Sequence, residues 1–170
     1  MFKKVLLLAS AGLMVMGSAA AAEKVKIGFV TTITTPAGVI GRDMVDAVNL
    51  AMEDIGGKMA GRDVELIIED DGFKPAIGKQ KTDKLVKQDK VQFVTGFIWS
   101  HVLLASQKSA LGAGKFLISS NAGPSQMAGK LCHKNFFSTS WQNDQTPMAM
   151  GEVLNLNNVG SLYVMAPNYA

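Results

Sequence analysis

Apolar side chains repeat along the chain with two different periods. In residues 24–31 they occupy every second position, as in a strand, whereas residues 42–55 repeat them with the period of a helix. The two periods then alternate as far as residue 118. The predicted order is strand 24–31, helix 42–55, strand 64–69, helix 75–88, strand 91–95, helix 99–111 and strand 116–118.

This alternation predicts the fold class. The gap between each predicted strand and the next leaves room for one crossover helix. Such spacing favours right-handed βαβ units, so we predict an α/β fold with a parallel sheet. The apolar face of helix 75–88 is thin, and we expect this helix on an outer surface.

The pattern changes after residue 119. A loop rich in Ser, Gly, Asn and Pro covers 119–129, and a short extended piece follows at 136–139. Helix 146–156 and strand 161–165 then resume the alternation, as if a second sheet began there. Because the sequence stops just past that strand, we expect it to be part of a longer chain.

The amino terminus has the pattern of an export signal. Lys3 and Lys4 precede an apolar run, and small side chains fill residues 17–22. The apolar run is too short to span a bilayer of roughly 30 Å, which favours a cleaved signal peptide at 1–22 over an uncleaved membrane anchor. We therefore expect an exported protein that is cleaved near Ala22.

Charge and cysteine content exclude several classes of protein. The formal charge is +3, and Lys3 and Lys4 lie in the predicted signal peptide, so the mature chain is near neutral and no nucleic-acid partner is expected. With two His and one Cys, a Cys/His zinc cluster is excluded. Cys132 is expected to be either a buried free thiol or half of a disulfide with a Cys outside this sequence.

Motifs for catalysis are missing from the sequence. It contains no GxxxxGKS or GxxxxGKT phosphate loop, no GxGxxG and no GxSxG elbow. Asp70 and Asp71 could belong to the metal site of a receiver domain, but no third Asp ends another strand, so a turn role is favoured. The lysines in 74–90 are interpreted as a solvated face. We predict a protein that is not an enzyme and uses neither metal nor cofactor.

The loops after the third and fourth predicted strands are candidate binding elements, because open parallel sheets bind ligands at the carboxyl ends of their strands. In the first loop, the Ser100 hydroxyl and the backbone N–H groups at a helix start would suit a carboxylate, with Trp99 and Phe97 as an apolar wall. The alternative makes Ser100 a helix N-cap and Trp99 a core residue. The second loop, 119–124, offers hydroxyl, amide and backbone donors.

Several short stretches follow one another in a distinctive order and spacing. They are Ile27-Gly28-Phe29 with Gly38 and Gly41, residues 69–75, residues 84–86 with 89–91, residues 96–100, residues 118–124, residues 137–145 and residues 166–169. Together they resemble the amino-terminal half of the solute-binding proteins of ABC transporters, in the leucine/isoleucine/valine-binding-protein-like (type I) family. The resemblance covers Lys26 to Ala170.

The resemblance implies an architecture of two Rossmann-like lobes with parallel sheets, the type I periplasmic-binding-protein fold. A hinge that the chain crosses three times joins the lobes. Residues 23–139 would form most of lobe one, and residues 140–170 would form the first hinge crossing and the start of lobe two. The remainder of both lobes would lie outside this sequence.

The resemblance also implies a function. Such proteins capture a small solute in the cleft, close about the hinge and deliver the solute to the membrane permease. A ligand-binding sensor domain of a receptor is the alternative use of this fold. We expect a monomer. The implied ligand-binding residues are Trp99, Ser100 and His101 in the first loop, Asn121, Ala122 and Gly123 in the second, Ile40 before the first helix, and Tyr169 on the opposite lobe.

Two positions depart from the pattern of aliphatic amino-acid binders. His101 stands where those proteins usually carry a second Ser or Thr, and Gly123 stands where they carry a Thr. Beside Trp99 and Trp141, the missing hydroxyls leave room for a bulkier ligand. We therefore expect a carboxylate with an apolar or aromatic body.

Overall fold

A computed structural model of the protein describes residues 23–166, so the predicted signal peptide and Tyr169 lie outside the described residues. A short 3-10 turn, Pro36–Gly38, leads into the first helix. The elements in chain order are β1 (Val25–Thr31), α1 (Val39–Asp54), β2 (Lys58–Met59), β3 (Arg62–Asp70), α2 (Pro75–Lys87), β4 (Phe93–Gly96), α3 (Ser100–Leu111), β5 (Phe116–Ser119), α4 (Ser125–Ala128), β6 (Phe136–Ser138) and α5 (Gln145–Leu156).

The strands form one sheet in the order β2-β3-β1-β4-β5-β6. Pairing is parallel from β3 through β6, and Ile27 of β1 lies opposite Leu66 on one side and Phe93 on the other. Only the short β2 runs antiparallel among the described strands. The predicted α/β fold with a parallel sheet is confirmed. The strand order reverses beside β1, and this reversal opens a crevice at the carboxyl ends of β1 and β4.

One face of the sheet is packed beneath α2 and α3. Leu85 of α2 and Leu103 of α3 are fully buried in the same core as Val94 and Leu117 of the sheet. A Cβ on Gly28 would lie 2.7 Å from Cδ1 of Leu85, so the glycine lets α2 approach the strand closely. Helix α2 was expected on an outer surface. Its outward face is exposed, but Leu85 and Val86 on its other face are buried in the core.

The opposite face of the sheet carries α1 and is only partly covered. Leu50 of α1 is exposed. On the sheet itself, the rings of Phe93 and Phe116 stack with centroids 5.6 Å apart, and Phe137 follows 6.2 Å beyond Phe116. Phe116 and Phe137 are exposed. We call these three phenylalanines and α1 the open face.

Some boundaries differ from the prediction. Helix α1 begins at Val39 rather than at 42, because the preceding 3-10 turn runs directly into it. Neither β2 nor α4 was predicted. The strand predicted at 161–165 is wrong: this segment is exposed and has no strand assignment, because no strand among residues 23–166 lies beside it to share hydrogen bonds.

Cys132 is a free and exposed thiol in the structure. The buried free thiol considered from the sequence is therefore wrong, because the loop after α4 holds this residue at the surface. Within residues 23–166, the helices are too short or too polar to cross a membrane.

Candidate ligand-binding site

The loop between β4 and α3 makes a sharp turn before it reaches the edge of the sheet. Gly96 has a φ of +100°, and a Cβ there would lie 2.3 Å from the carbonyl oxygen of Val30. The Phe97 N–H donates to that same carbonyl oxygen at 2.7 Å. Phe97 is fully buried. The apolar wall predicted for Phe97 is therefore wrong, because the turn directs this ring into the core.

Ser100 is the first residue of α3 and is almost completely buried. The Asn143 side-chain amide donates to the Ser100 hydroxyl oxygen at 2.9 Å. With its oxygen accepting from Asn143, the hydroxyl keeps its own hydrogen to donate to a ligand. Because Ser100 begins α3, its hydroxyl also lies beside the positive end of the helix dipole, where an anion is stabilised.

The alternative interpretation, with Ser100 as a helix N-cap and Trp99 as a core residue, is correct only for Trp99. Trp99, not Ser100, occupies the N-cap position of α3, and no side chain caps this helix end. The N-cap role of Ser100 is therefore wrong. Trp99 is half-buried and packs against the hydrophobic core, as the alternative expected.

The loop after β5 is joined to the loop after β4 by hydrogen bonds. The Ala122 N–H donates to the Phe97 carbonyl oxygen at 3.0 Å, and the Asn121 side-chain amide donates to that of Ile98 at 3.0 Å. Ala122 is buried. The two loops therefore form one unit, in which Asn121 fixes the position of the backbone.

Gly123 provides the space in which the following chain crosses the site. A Cβ at this position would lie 2.0 Å from the Trp141 carbonyl oxygen. The Asn143 N–H donates to the Gly123 carbonyl oxygen at 2.7 Å. This close approach explains why a threonine cannot stand at 123, and it is also what brings Asn143 to Ser100.

Asp70 and Asp71 organise the loop after β3. Oδ1 of Asp70 accepts the Ile33 and Gly72 N–H groups, each at 2.9 Å. Oδ1 of Asp71 accepts the Phe73 N–H at 2.8 Å and a hydroxyl from the loop after β1. The predicted turn role of the aspartate pair is confirmed.

The two carboxyl groups differ in acidity. Burial alone would raise the pKa of Asp70, but hydrogen bonds from the Thr34 hydroxyl and from neighbouring backbone N–H groups bring it below its ordinary value. Burial dominates at Asp71 and raises its pKa, against the hydrogen bonds from Thr32 and from the Phe73 N–H. Asp71 thus holds its proton more tightly than an ordinary aspartic acid.

Three rings meet where this loop approaches α3. The Phe73 ring lies edge-on to the Trp99 ring, with centroids 4.8 Å apart, and edge-on to the His101 ring at 5.0 Å. We call these residues the three-ring cluster. Sequence reasoning missed Phe73 and Asn143 as site residues, although both lie in stretches that carried the family resemblance.

The structure brings most of the predicted site residues to one edge of the sheet. Trp99, Ser100 and His101 open α3, and the Asn121–Gly123 loop lies against them. Ile40 lies within the first turn of α1, not in the loop before it, and its side chain is 45% exposed. Within residues 23–166, no group of three His, Cys, Asp or Glu side chains could hold a metal ion.

Comparisons with known proteins agree with this architecture. A protein-family description, "Periplasmic binding protein", matches residues 24–170. The Leu/Ile/Val-binding protein homolog 6 of Brucella abortus is 27% identical over 151 residues, which are 86% of this chain and 38% of that protein. The chain therefore spans little more than a third of the length of the curated relatives it matches.

Solved structures share the fold. A Rhodopseudomonas palustris solute-binding protein in complex with benzoate is 26% identical, with a TM-score of 0.74 over 80% of this chain and 38% of that one. The Streptococcus pneumoniae branched-chain amino acid transporter substrate-binding protein, in complex with isoleucine, is 26% identical, with a TM-score of 0.65 over 71% of this chain and 34% of that one. The described sheet thus matches part of a type I periplasmic-binding-protein fold, and the chain belongs to the periplasmic binding protein family.

Proposed function

We propose that this protein is the solute-binding component of an ABC importer, which captures a small carboxylate in a cleft between two lobes and delivers it to the membrane permease. The observation that carries the proposal is the Ser100 hydroxyl at the amino end of α3. It is nearly buried, and Asn143 supplies the hydrogen bond that its oxygen accepts. A carboxylate placed there would meet a hydroxyl donor and the positive end of a helix dipole.

The proposed lobes follow the path of the chain. Residues 23–139 form most of lobe one, which ends just after β6 joins the sheet. Residues 140–170 form the first hinge crossing and the start of lobe two. The hydrogen bonds from Asn143 to Gly123 and Ser100 support this boundary, because they attach the crossing segment directly to the binding loops. Closure of the lobes would therefore act on the residues that hold the ligand.

The proposed ligand is a carboxylate with an apolar or aromatic body. One relative of known structure holds benzoate and another holds isoleucine, and both ligands combine a carboxylate with an apolar group. His101 and Gly123 offer no hydroxyl beside Ser100, which leaves fewer donors for the backbone of an amino acid. Tyr169 and Ile40 complete the proposed site from lobe two and from α1.

Export to the periplasm and work as a monomer are part of the proposal. Members of the periplasmic binding protein family act outside the cytoplasm, as carriers rather than as enzymes. The basic and apolar pattern of residues 1–22 supports cleavage of a signal peptide near Ala22. The expected partner is an ABC permease, which would recognise the closed form.

Calorimetry on the full-length mature protein tests the proposed function. Benzoate and isoleucine are the carboxylate probes, and glucose and putrescine are matched probes without a carboxylate. A ligand that binds only the folded state raises the midpoint of thermal unfolding, so we expect at least one carboxylate to raise it and to give a dissociation constant. Stabilisation by glucose or putrescine alone would contradict the proposal.

A further inference from the structure

We propose that Phe73 is a positioning residue for the ligand site: it holds the Trp99 indole and the His101 imidazole in the orientation that an aromatic carboxylate requires. Phe73 directly follows the Asp70-Asp71-Gly72 turn and is not among the ligand-binding residues predicted from the sequence. The inference rests on the proposed function for its effect on affinity. Its effect on the imidazole can be measured without any ligand.

The backbone at Phe73 is fixed in an unfavourable conformation. Its φ of +65° lies in the left-handed region, which is sterically unfavourable for a residue with a Cβ. The Phe73 N–H donates to the buried Asp71 carboxylate at 2.8 Å, and the preceding Gly72 N–H donates to Asp70 at 2.9 Å. These bonds hold the turn, and the turn directs the ring of Phe73 towards α3.

The ring of Phe73 contacts both side chains that begin α3. Its centroid lies 4.8 Å from that of Trp99 and 5.0 Å from that of His101, with interplanar angles of 83° and 80°. Edge-to-face contacts of this kind favour a defined mutual orientation of the rings. One phenylalanine therefore restricts two predicted ligand-binding residues at once, on either side of Ser100.

The contact joins two loops that the chain separates. Phe73 lies between β3 and α2, whereas Trp99 and His101 lie at the start of α3. The ring of Phe73 is 37% exposed, so it closes the outer edge of the three-ring cluster rather than filling the core. Its removal would leave the fold in place and take away one of the contacts that orient the two rings.

The test combines a substitution series with two measurements on the full-length mature protein. Phe73→Leu removes the ring, and Phe73→Tyr keeps it. Phe116→Leu is the matched control, because Phe116 is 41% exposed and lies on the open face of the sheet. The measurements are the nuclear Overhauser contacts of the His101 ring protons in the ligand-free protein and the benzoate dissociation constant. The imidazole signal that disappears in His101→Asn is that of His101.

We expect Phe73→Leu to change the nuclear Overhauser contacts between the His101 ring protons and residues other than 73. It should also weaken benzoate binding by about three- to tenfold, the range set by one or two aromatic pair contacts. Phe73→Tyr should restore both properties, and Phe116→Leu should change neither. Unchanged contacts of the His101 ring in Phe73→Leu would overturn the positioning role. Changed contacts with unchanged benzoate affinity would overturn its link to the ligand. A wild-type protein that binds no carboxylate would instead overturn the proposed function, while the NMR result still decides the orientation of His101.

Discussion

The two faces of the sheet use similar apolar side chains but differ in how they are covered. Beneath α2 and α3, the core contains fully buried Leu85 and Leu103. On the open face, Leu50 of α1 and Phe116 of β5 remain exposed. The strands thus bury one face more deeply than the other.

This difference shows which part of the molecule has a buried core. The α2/α3 face has the burial expected of a domain core, and the candidate binding loops after β4 and β5 are built upon it. The open face has the apolar composition of a core without its coverage, and this chain spans 38% of a curated relative. We expect stability to come mainly from the α2/α3 face and the open face to tolerate substitution.

The largest contrast is expected from the same truncation on two helices. Leu103→Ala on α3 removes a fully buried side chain and should lower the free energy of unfolding by about 2–5 kcal/mol. Leu50→Ala on α1 changes a side chain that is 59% exposed and should cost no more than about 0.5 kcal/mol. Urea denaturation measures both. Equal costs would show that the open face is covered in solution, and the comparison would then fail.

A smaller contrast is expected from two glycines in helices. In Gly78→Ala on α2, the new Cβ would lie 2.4 Å from Cγ1 of Val102, and overpacking should destabilise the protein by about 1–2 kcal/mol. Gly151→Ala on α5 meets nothing within 4 Å and should stabilise the helix by up to about 1 kcal/mol, because alanine has the higher helix propensity. Thermal unfolding of both variants decides the matter. A neutral Gly78→Ala would mean that α2 and α3 are less tightly packed than the structure shows.

The smallest contrast concerns pH. Burial raises the pKa of Asp71, so this group stabilises the fold in acid and loses that contribution as the pH rises through its raised folded-state value. Hydrogen bonds from Lys79 and Lys87 lower the pKa of half-buried Asp83 to about 2, so Asp83 stabilises the fold above pH 3.8 and loses its contribution as the pH falls towards 2.

The matched variants should therefore respond to pH in opposite ways. The melting temperature of Asp71→Asn minus that of wild type should be larger at pH 7 than at pH 3. Asp83→Asn should be slightly less stable at pH 7 and converge with wild type near pH 2, with a small effect because surface ion pairs contribute little. The melting temperature between pH 2 and 7 is the measurement. Parallel curves for the two variants would remove the distinction between the buried Asp71 carboxyl group and the ion-paired Asp83 carboxyl group.

The periodic part of the sequence predicted the fold well because each strand there is buried on at least one face. The parallel pairing of β3, β1, β4 and β5 and the helices between these strands follow from apolar spacing and from the lengths of the connections, whereas the order of the strands was not predicted. The segment 161–165 has the same alternation but is no strand here, because a strand also needs a neighbour to pair with. Periodicity alone could not show that no strand among residues 23–166 lies beside this segment.

The candidate site was predictable in its position but not in its detail. The rule for open parallel sheets pointed to the loops that contain Ser100 and Asn121. The contact between Asn143 and Ser100 depends on how a segment far along the chain packs over Gly123, which no local pattern reveals. The role of Phe73 was not predicted for a related reason. Its left-handed backbone depends on the carboxylates of the turn before it.

The central claim, that the Ser100 hydroxyl at the start of α3 binds the carboxylate of a ligand, is tested most directly by calorimetry on Ser100→Ala. Ser109→Ala, at the far end of the same helix, is the matched control. A hydrogen bond to a charged group contributes about 1.5–3 kcal/mol, so the affinity for the carboxylate that wild type binds should fall at least about tenfold. The control should bind like wild type. An unchanged affinity in Ser100→Ala would contradict the account.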